Sequence, residues 1–204
     1  MKLYTKKGFT LVELLIVIGL LGAIALIVIS AINPIEQANR ARDTKYKADA
    51  GQLVSAIDRY FVGQSAFPWS VFDSVNYPSA DTAVAFASAQ GQMYGLCGAV
   101  AGCTTDGLLI DNNELKTEFR SRDFVKGTTV TVPNQIWIGK ALGSSSSTYA
   151  CFVPLSKSIR DKACTDGKVY TLSTSVRTPV SGVTCAGTAA GWSTSPYMYV
   201  CLPE

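Results

Sequence analysis

The stretch that decides the reading is KKGFTLVELLIVIGLLGAIALIVISAINP, Lys6 to Pro34. From Phe9 to Ile32 it runs 24 residues with Glu13 as its only charge. At about 1.5 Å per residue such a helix is about 36 Å long, against about 30 Å of bilayer hydrocarbon. The run can span a membrane. Lys2, Lys6 and Lys7 precede it and favour an orientation with the amino terminus inside and the rest of the chain outside. A cleaved secretory signal fits poorly. Its apolar core would be about 7 to 15 residues and would end in a small-x-small site, whereas the triplet Ala23-Ile24-Ala25 lies inside the run. A plain single-pass anchor explains the length and the lysines but gives Glu13 no role, because an intramembrane carboxylate costs up to about 3 kcal/mol and normally has a partner. Glu13 asks for a cation.

The rest of the composition narrows the field. The chain has 204 residues, 48% hydrophobic and 16% charged, enough for one folded domain besides the apolar run. Three of its 18 basic residues precede the run, leaving 15 against 15 acidic ones. No nucleic-acid footprint is therefore indicated. Histidine is absent, which removes Ser-His-Asp and Cys-His schemes and most zinc sites. The expectation is a protein without catalytic residues, cofactor or metal. The six cysteines, Cys97, Cys103, Cys151, Cys164, Cys185 and Cys201, include no C-x-x-C pair. An even number beyond a membrane span predicts up to three disulfides made in an oxidising compartment.

In KKGFTLVELLIVIGLLGAIAL a basic leader ends in Gly8, Phe9 follows, and a glutamate comes four residues later in an apolar helix. This resembles the amino terminus of the type IV pilin family, which includes the secretion-system pseudopilins, in its short-leader, Phe-starting class. The resemblance implies that a prepilin peptidase cuts between Gly8 and Phe9 and methylates Phe9. Cutting there creates an α-amine that is largely cationic at neutral pH and stays charged when methylated. An ammonium and a carboxylate about 4 Å apart attract by about 4 kcal/mol at an effective dielectric of about 20, before desolvation. The cut thus makes the missing partner of Glu13. The pair can form within one helix; the resemblance implies that it forms between a new subunit and its neighbour in a growing filament.

Gly19 and Ala23 form a small-xxx-small pair, with Gly22 on an adjoining face, which suits helix packing. Gly19, Gly22 and Pro34 are also places for the helix to bend. Beyond Pro34 the pattern Ala38, Ala41, Ala48, Leu53, Ile57, Tyr60 and Phe61 among charged residues reads as an amphipathic continuation, one helix of about 80 Å from Phe9 to about Val62. Gly63 and Pro68 would end it. Strand signals follow in TTVTV, QIWIG, TYACFVPL, KVYTLST and YMYVCL, and short helices are expected in SADTAVAFASAQGQMYG and NNELKTEFRSR. The fold class expected is α+β: a long helix, half membrane-spanning and half amphipathic, packed against an antiparallel sheet, which is also the lollipop that the resemblance implies. The boundaries are a leader at 1–8, a membrane or filament-core helix at 9–34, its amphipathic continuation at 35–66 and a disulfide-containing head at 67–204.

Neighbours in sequence are the expected disulfides, Cys97–Cys103, Cys151–Cys164 and Cys185–Cys201, out of 15 pairings. Asp106, Asp111, Asn112, Asn113 and Glu114 could ligate calcium, but their spacing is not that of an EF-hand and a solvated turn is the better account. Trp192 and Tyr197 could serve adhesion or DNA contact; burial in a strand is the ordinary explanation. The functional expectation is a structural subunit of a type IV pilus for adhesion, motility or DNA uptake, with a type II secretion pseudopilin as the alternative and a membrane-anchored periplasmic binding or enzymatic domain as a remote one. Its partners would be further copies in a homopolymeric filament, the prepilin peptidase, an inner-membrane assembly platform, the membrane before assembly, and surfaces or DNA touched by the filament. It would start in the inner membrane and end in an extracellular filament.

Overall fold

Two units divide the chain between Ala38 and Asn39. The computed structural model describes residues 8–31, 33–99, 102–126, 131–143, 145–180 and 189–204. In the first unit, helix α1 (Leu11–Ala31) is apolar all round, and its described side chains are all exposed. Such a helix needs lipid or other helices to cover it. Helix α2 (Pro34–Gln64) opens on a built cap. Asn33 Oδ1 accepts the Glu36 N–H at 3.2 Å, and Pro34 takes the first helical position, where its missing N–H costs nothing. The long amino-terminal helix expected from the sequence is present, in two segments of about 32 and 46 Å by their residue counts, the second starting at the Pro34 where a bend was expected.

From Asn39 onward α2 belongs to the second unit. Its buried face is Asp43, Tyr46, Asp49, Ala50, Leu53, Ala56, Ile57 and Tyr60, a spacing of three and four residues. Leu53, Ile57 and Tyr60 lie where the sequence predicts. Ala38, Ala41 and Ala48 are instead exposed, and two aspartates stand on the inner face in their place.

Four antiparallel strands form the sheet, in the order β1 (Val84–Ser88), β2 (Ile136–Lys140), β3 (Thr148–Phe152) and β6 (Val200–Leu202). Strands β4 (Tyr170–Ser173) and β5 (Val176–Pro179) make a separate hairpin. Alternation assigns the faces. Ile136, Ile138, Ala150 and Phe152 join Leu53 and Ile57 of α2 in the larger core. Trp137, Tyr149, Cys151 and Cys201 join Phe86, Val169 and Trp192 in a second one. The sheet thus has apolar packing on both faces. In the second layer Gly139 lies under Phe86 so closely that a Cβ would sit 2.6 Å from the ring.

The expected strands at QIWIG, TYACFVPL, KVYTLST and YMYVCL are present as β2, β3, β4 and β6. Of TTVTV, residues 128–130 lie outside the description, and Val132 begins a 3-10 turn, Val132–Asn134, that Pro133 favours over a strand. The segment expected to hold a helix near residue 84 is strand β1 followed by a 3-10 turn, Gln92–Tyr94. Its alternating Val84-Ala85-Phe86-Ala87 pairs with β2, and that pairing overrides the helix preference of alanine. NNELKTEFRSR carries a 3-10 turn, Thr117–Ser121, in place of an α-helix. Short helices α3 (Pro68–Phe72), α4 (Leu108–Asp111), α5 (Lys157–Thr165) and α6 (Ala189–Trp192) complete the chain's elements.

Candidate assembly site at the amino-terminal helix

Helix α1 begins with a capping box that pure hydropathy does not reveal. Thr10 Oγ1 accepts the Glu13 N–H at 3.2 Å, while Glu13 Oε2 accepts from the Thr10 hydroxyl at 3.3 Å and from the Thr10 N–H at 3.4 Å. This is the reciprocal T-x-x-E arrangement that satisfies two of the four orphan donors of a helix start. The signal was legible in TLVE, a threonine three residues before an acid and an apolar run. Glu13 thereby has local hydrogen bonds, and its charge also suits the positive end of the helix dipole. Among the described residues it pairs with no cation. Phe9, one turn away, is 84% exposed.

Leu11–Ile29 is long and apolar enough to cross a membrane, with a mean hydropathy of 3.0. Gly19 and Gly22 lie in this stretch, where an added Cβ would meet nothing among the described residues. Packing among those residues therefore does not require glycine here, and Ala23 is exposed beside them. Pro34 starts α2 as described. Lys2, Lys6 and Lys7 lie outside the described residues.

The head carries the cysteine framework. Cys97 joins Cys103 as expected. Cys151, however, joins Cys201, so neither Cys151–Cys164 nor Cys185–Cys201 forms. Sequence proximity loses to strand register, because β3 and β6 set Cys151 directly opposite Cys201, with Cα atoms 4.0 Å apart. Cys164 is disulfide-bonded as well; Cys185 lies outside the described residues.

Two acids of the acidic loop are held in ion pairs. Asp106 meets Arg120 at 2.6 Å and Glu114 meets Arg59 at 2.8 Å, while Asn112 accepts from Gln64 at 3.3 Å. Among the described residues no three His, Cys, Asp or Glu side chains gather in a way that could hold a metal ion. Trp192 is fully buried, in α6 in place of a strand, and Tyr197 is half-buried beside Tyr199.

Sequence comparison matches the family described as the prokaryotic N-terminal methylation motif to residues 4–29. The chain carries the prepilin signature of type IV pilins and pseudopilins. The match covers the Gly8-Phe9 junction, Glu13 and most of α1, and it stops short of the head. No curated protein and no solved structure matches the chain. The signature is that of structural, pilin-type subunits and implies processing by a prepilin peptidase, and the apolar helix behind it suits a membrane anchor.

Proposed function

We propose that this prepilin is a structural subunit of a type IV pilus, cut after Gly8, N-methylated at Phe9 and polymerised into a homopolymeric filament that serves adhesion, motility or DNA uptake. The observation that carries the reading is Gly8 to Glu13: a leader ending in glycine, an exposed Phe9 and a carboxylate one turn on that has hydrogen bonds but no ion-pair partner among the described residues. The α-amine released at Phe9 supplies that partner, and polymerisation gives the bare apolar surface of α1 neighbours in place of lipid. Gly19, Gly22 and Ala23 then serve close helix packing, and Lys2, Lys6 and Lys7 leave with the leader. The disulfide-rich head and acidic side chains already committed to Arg59 and Arg120 favour a pilus subunit over a pseudopilin.

The test is the intact mass and amino-terminal sequence of the protein from native membranes and from sheared surface filaments. The expected result is a start at N-methylated Phe9 in both fractions. Processed protein that stays with the cell and never enters sheared filaments points to a pseudopilus, and an uncut Met1 start in cells with active prepilin peptidase overturns prepilin processing.

A further inference from the structure

A cavity of about 260 Å³ lies on the flank of α2 and is lined in part by Val54, Asp58, Phe61, Phe67, Ser146 and Thr148. Its chemistry is one-sided. Among the described residues Asp58 is the only ionisable side chain in the lining, and it forms no ion pair with any of them. The Thr148 hydroxyl is buried with no hydrogen-bond partner, an arrangement that costs free energy unless something fills it. Ser146 donates its proton to the Leu142 carbonyl at 2.7 Å, which leaves its oxygen as an acceptor. Asp58, Ser146 and Thr148, three side chains that can accept, thus line a single cavity, and an ammonium has three donors and no acceptor. The walls are apolar: Phe61 stacks on Phe67 with centroids 4.3 Å apart, and Val54 stands beside them. Lys140, whose ammonium lies 5.8 Å from the Phe67 ring centroid, does not line the cavity and spends its protons on the Ala141 and Gly143 carbonyls.

We infer that this cavity binds a primary ammonium carried on an apolar stem, with Asp58 as counter-ion, Ser146 and Thr148 as acceptors and the Phe61–Phe67 stack as the apolar wall. Asp58 is exposed, and partial loss of water around its carboxyl raises its pKa; a cation seated against it relieves that cost. Two sources present the same chemistry: a small organic amine, or a lysine side chain of a second copy. The site does not depend on the filament reading, because a free amine needs only a single subunit.

The experiment uses the full chain in detergent micelles, with phenethylammonium as probe and 2-phenylethanol as its neutral isostere, read by calorimetry and by chemical shifts at Phe61 and Phe67. Saturable binding of the amine is expected, at least about tenfold weaker for the alcohol and for Asp58→Asn, and about threefold to tenfold weaker for Thr148→Val. In parallel, carbodiimide is applied to assembled material. An Asp58–lysine cross-link between copies assigns the ammonium to a neighbouring subunit, and amine binding without that link assigns a free amine. Equal binding of amine and alcohol, unchanged binding in a folded Asp58→Asn protein, or neither binding nor cross-link overturns the inference.

Discussion

Asp43 Oδ2 accepts the Ser156 N–H at 2.7 Å, with both residues fully buried. Asp43 also meets Arg42 at 2.8 Å, Arg42 donates to the Val153 carbonyl at 3.2 Å, and Ser156 caps α5 by accepting the Ile159 N–H. One carboxylate on α2 therefore ties the helix to the chain leaving β3 and to the start of α5. Asp43→Ala would leave the buried Ser156 N–H without its acceptor and take the carboxylate from beside the half-buried Arg42 guanidinium, a loss of about 3 kcal/mol. Urea denaturation of the full chain in detergent should show this as a lower midpoint for the head, while Asp43→Asn recovers part of it.

Register fixes the disulfide framework. The Cys151–Cys201 bond closes a separation of 50 residues, against 6 for Cys97–Cys103. By chain entropy the longer link contributes about 4 kcal/mol and the shorter about 2. Paired Cys151→Ser and Cys201→Ser replacements should therefore lower stability more than the Cys97/Cys103 pair. Peptide mapping without reduction should recover Cys151 linked to Cys201, and a Cys151–Cys164 peptide would contradict the sheet.

Acid sensitivity follows from Glu204. Lys47 and Lys168 hydrogen-bond its carboxylate and lower its pKa to about 2. A carboxyl depressed in the folded state stabilises it above the ordinary carboxylate range and loses that contribution as pH falls through the folded value. Between about pH 4.5 and 2 the wild type should lose melting temperature more steeply than Glu204→Gln, measured by circular dichroism across that range.

Asp49 behaves in the opposite sense. Burial raises its pKa, Arg122 opposes that only in part at 3.5 Å, and Oδ2 has no partner. A carboxyl raised in the folded state favours folding at low pH and costs stability once pH exceeds its folded value. Asp49→Asn should therefore melt at or above the wild-type temperature at pH 7, with the difference closing as the pH falls from the raised folded value to about 4 and absent below it. A clear drop at pH 7 would mean that the Arg122 pair outweighs the desolvation.

The sequence carried the fold unevenly, for physical reasons. Apolar run length alone reveals α1, and alternation of β-branched and aromatic residues reveals β2 and β3. The buried face of α2 was only half visible, because Asp43 and Asp49 are charged and their inward position depends on Ser156 and Arg122, more than 70 residues away in the chain. β1 was hidden by its alanines, since only the partner strand gives them a reason to be extended. The Cys151–Cys201 link was invisible for the same reason, as it needs the β3–β6 register. At the amino terminus Gly8, Phe9 and Glu13 stand out by motif and charge, and the matched motif spans them, whereas the Thr10 and Asn33 caps rest on single polar residues at the helix starts that hydropathy passes over.

The cap also sharpens what Glu13 must be tested for. A capping box accepts glutamine as well as glutamate at its third helical position, since either side chain reaches back to the Thr10 N–H. A charge pair with the Phe9 amine does not, because glutamine carries no charge. Glu13→Gln should therefore preserve membrane insertion, leader cleavage and the helicity of α1, yet reduce filament yield at least about tenfold, the same loss expected of Glu13→Ala, if the lost attraction is more than about 1.4 kcal/mol. Thr10→Ala should do the reverse, weakening the helix start by about 1 kcal/mol while leaving the carboxylate available to the amine. Sheared-filament yield and amino-terminal sequencing of the three variants separate the two roles: normal assembly by Glu13→Gln would make Glu13 a helix cap and nothing more.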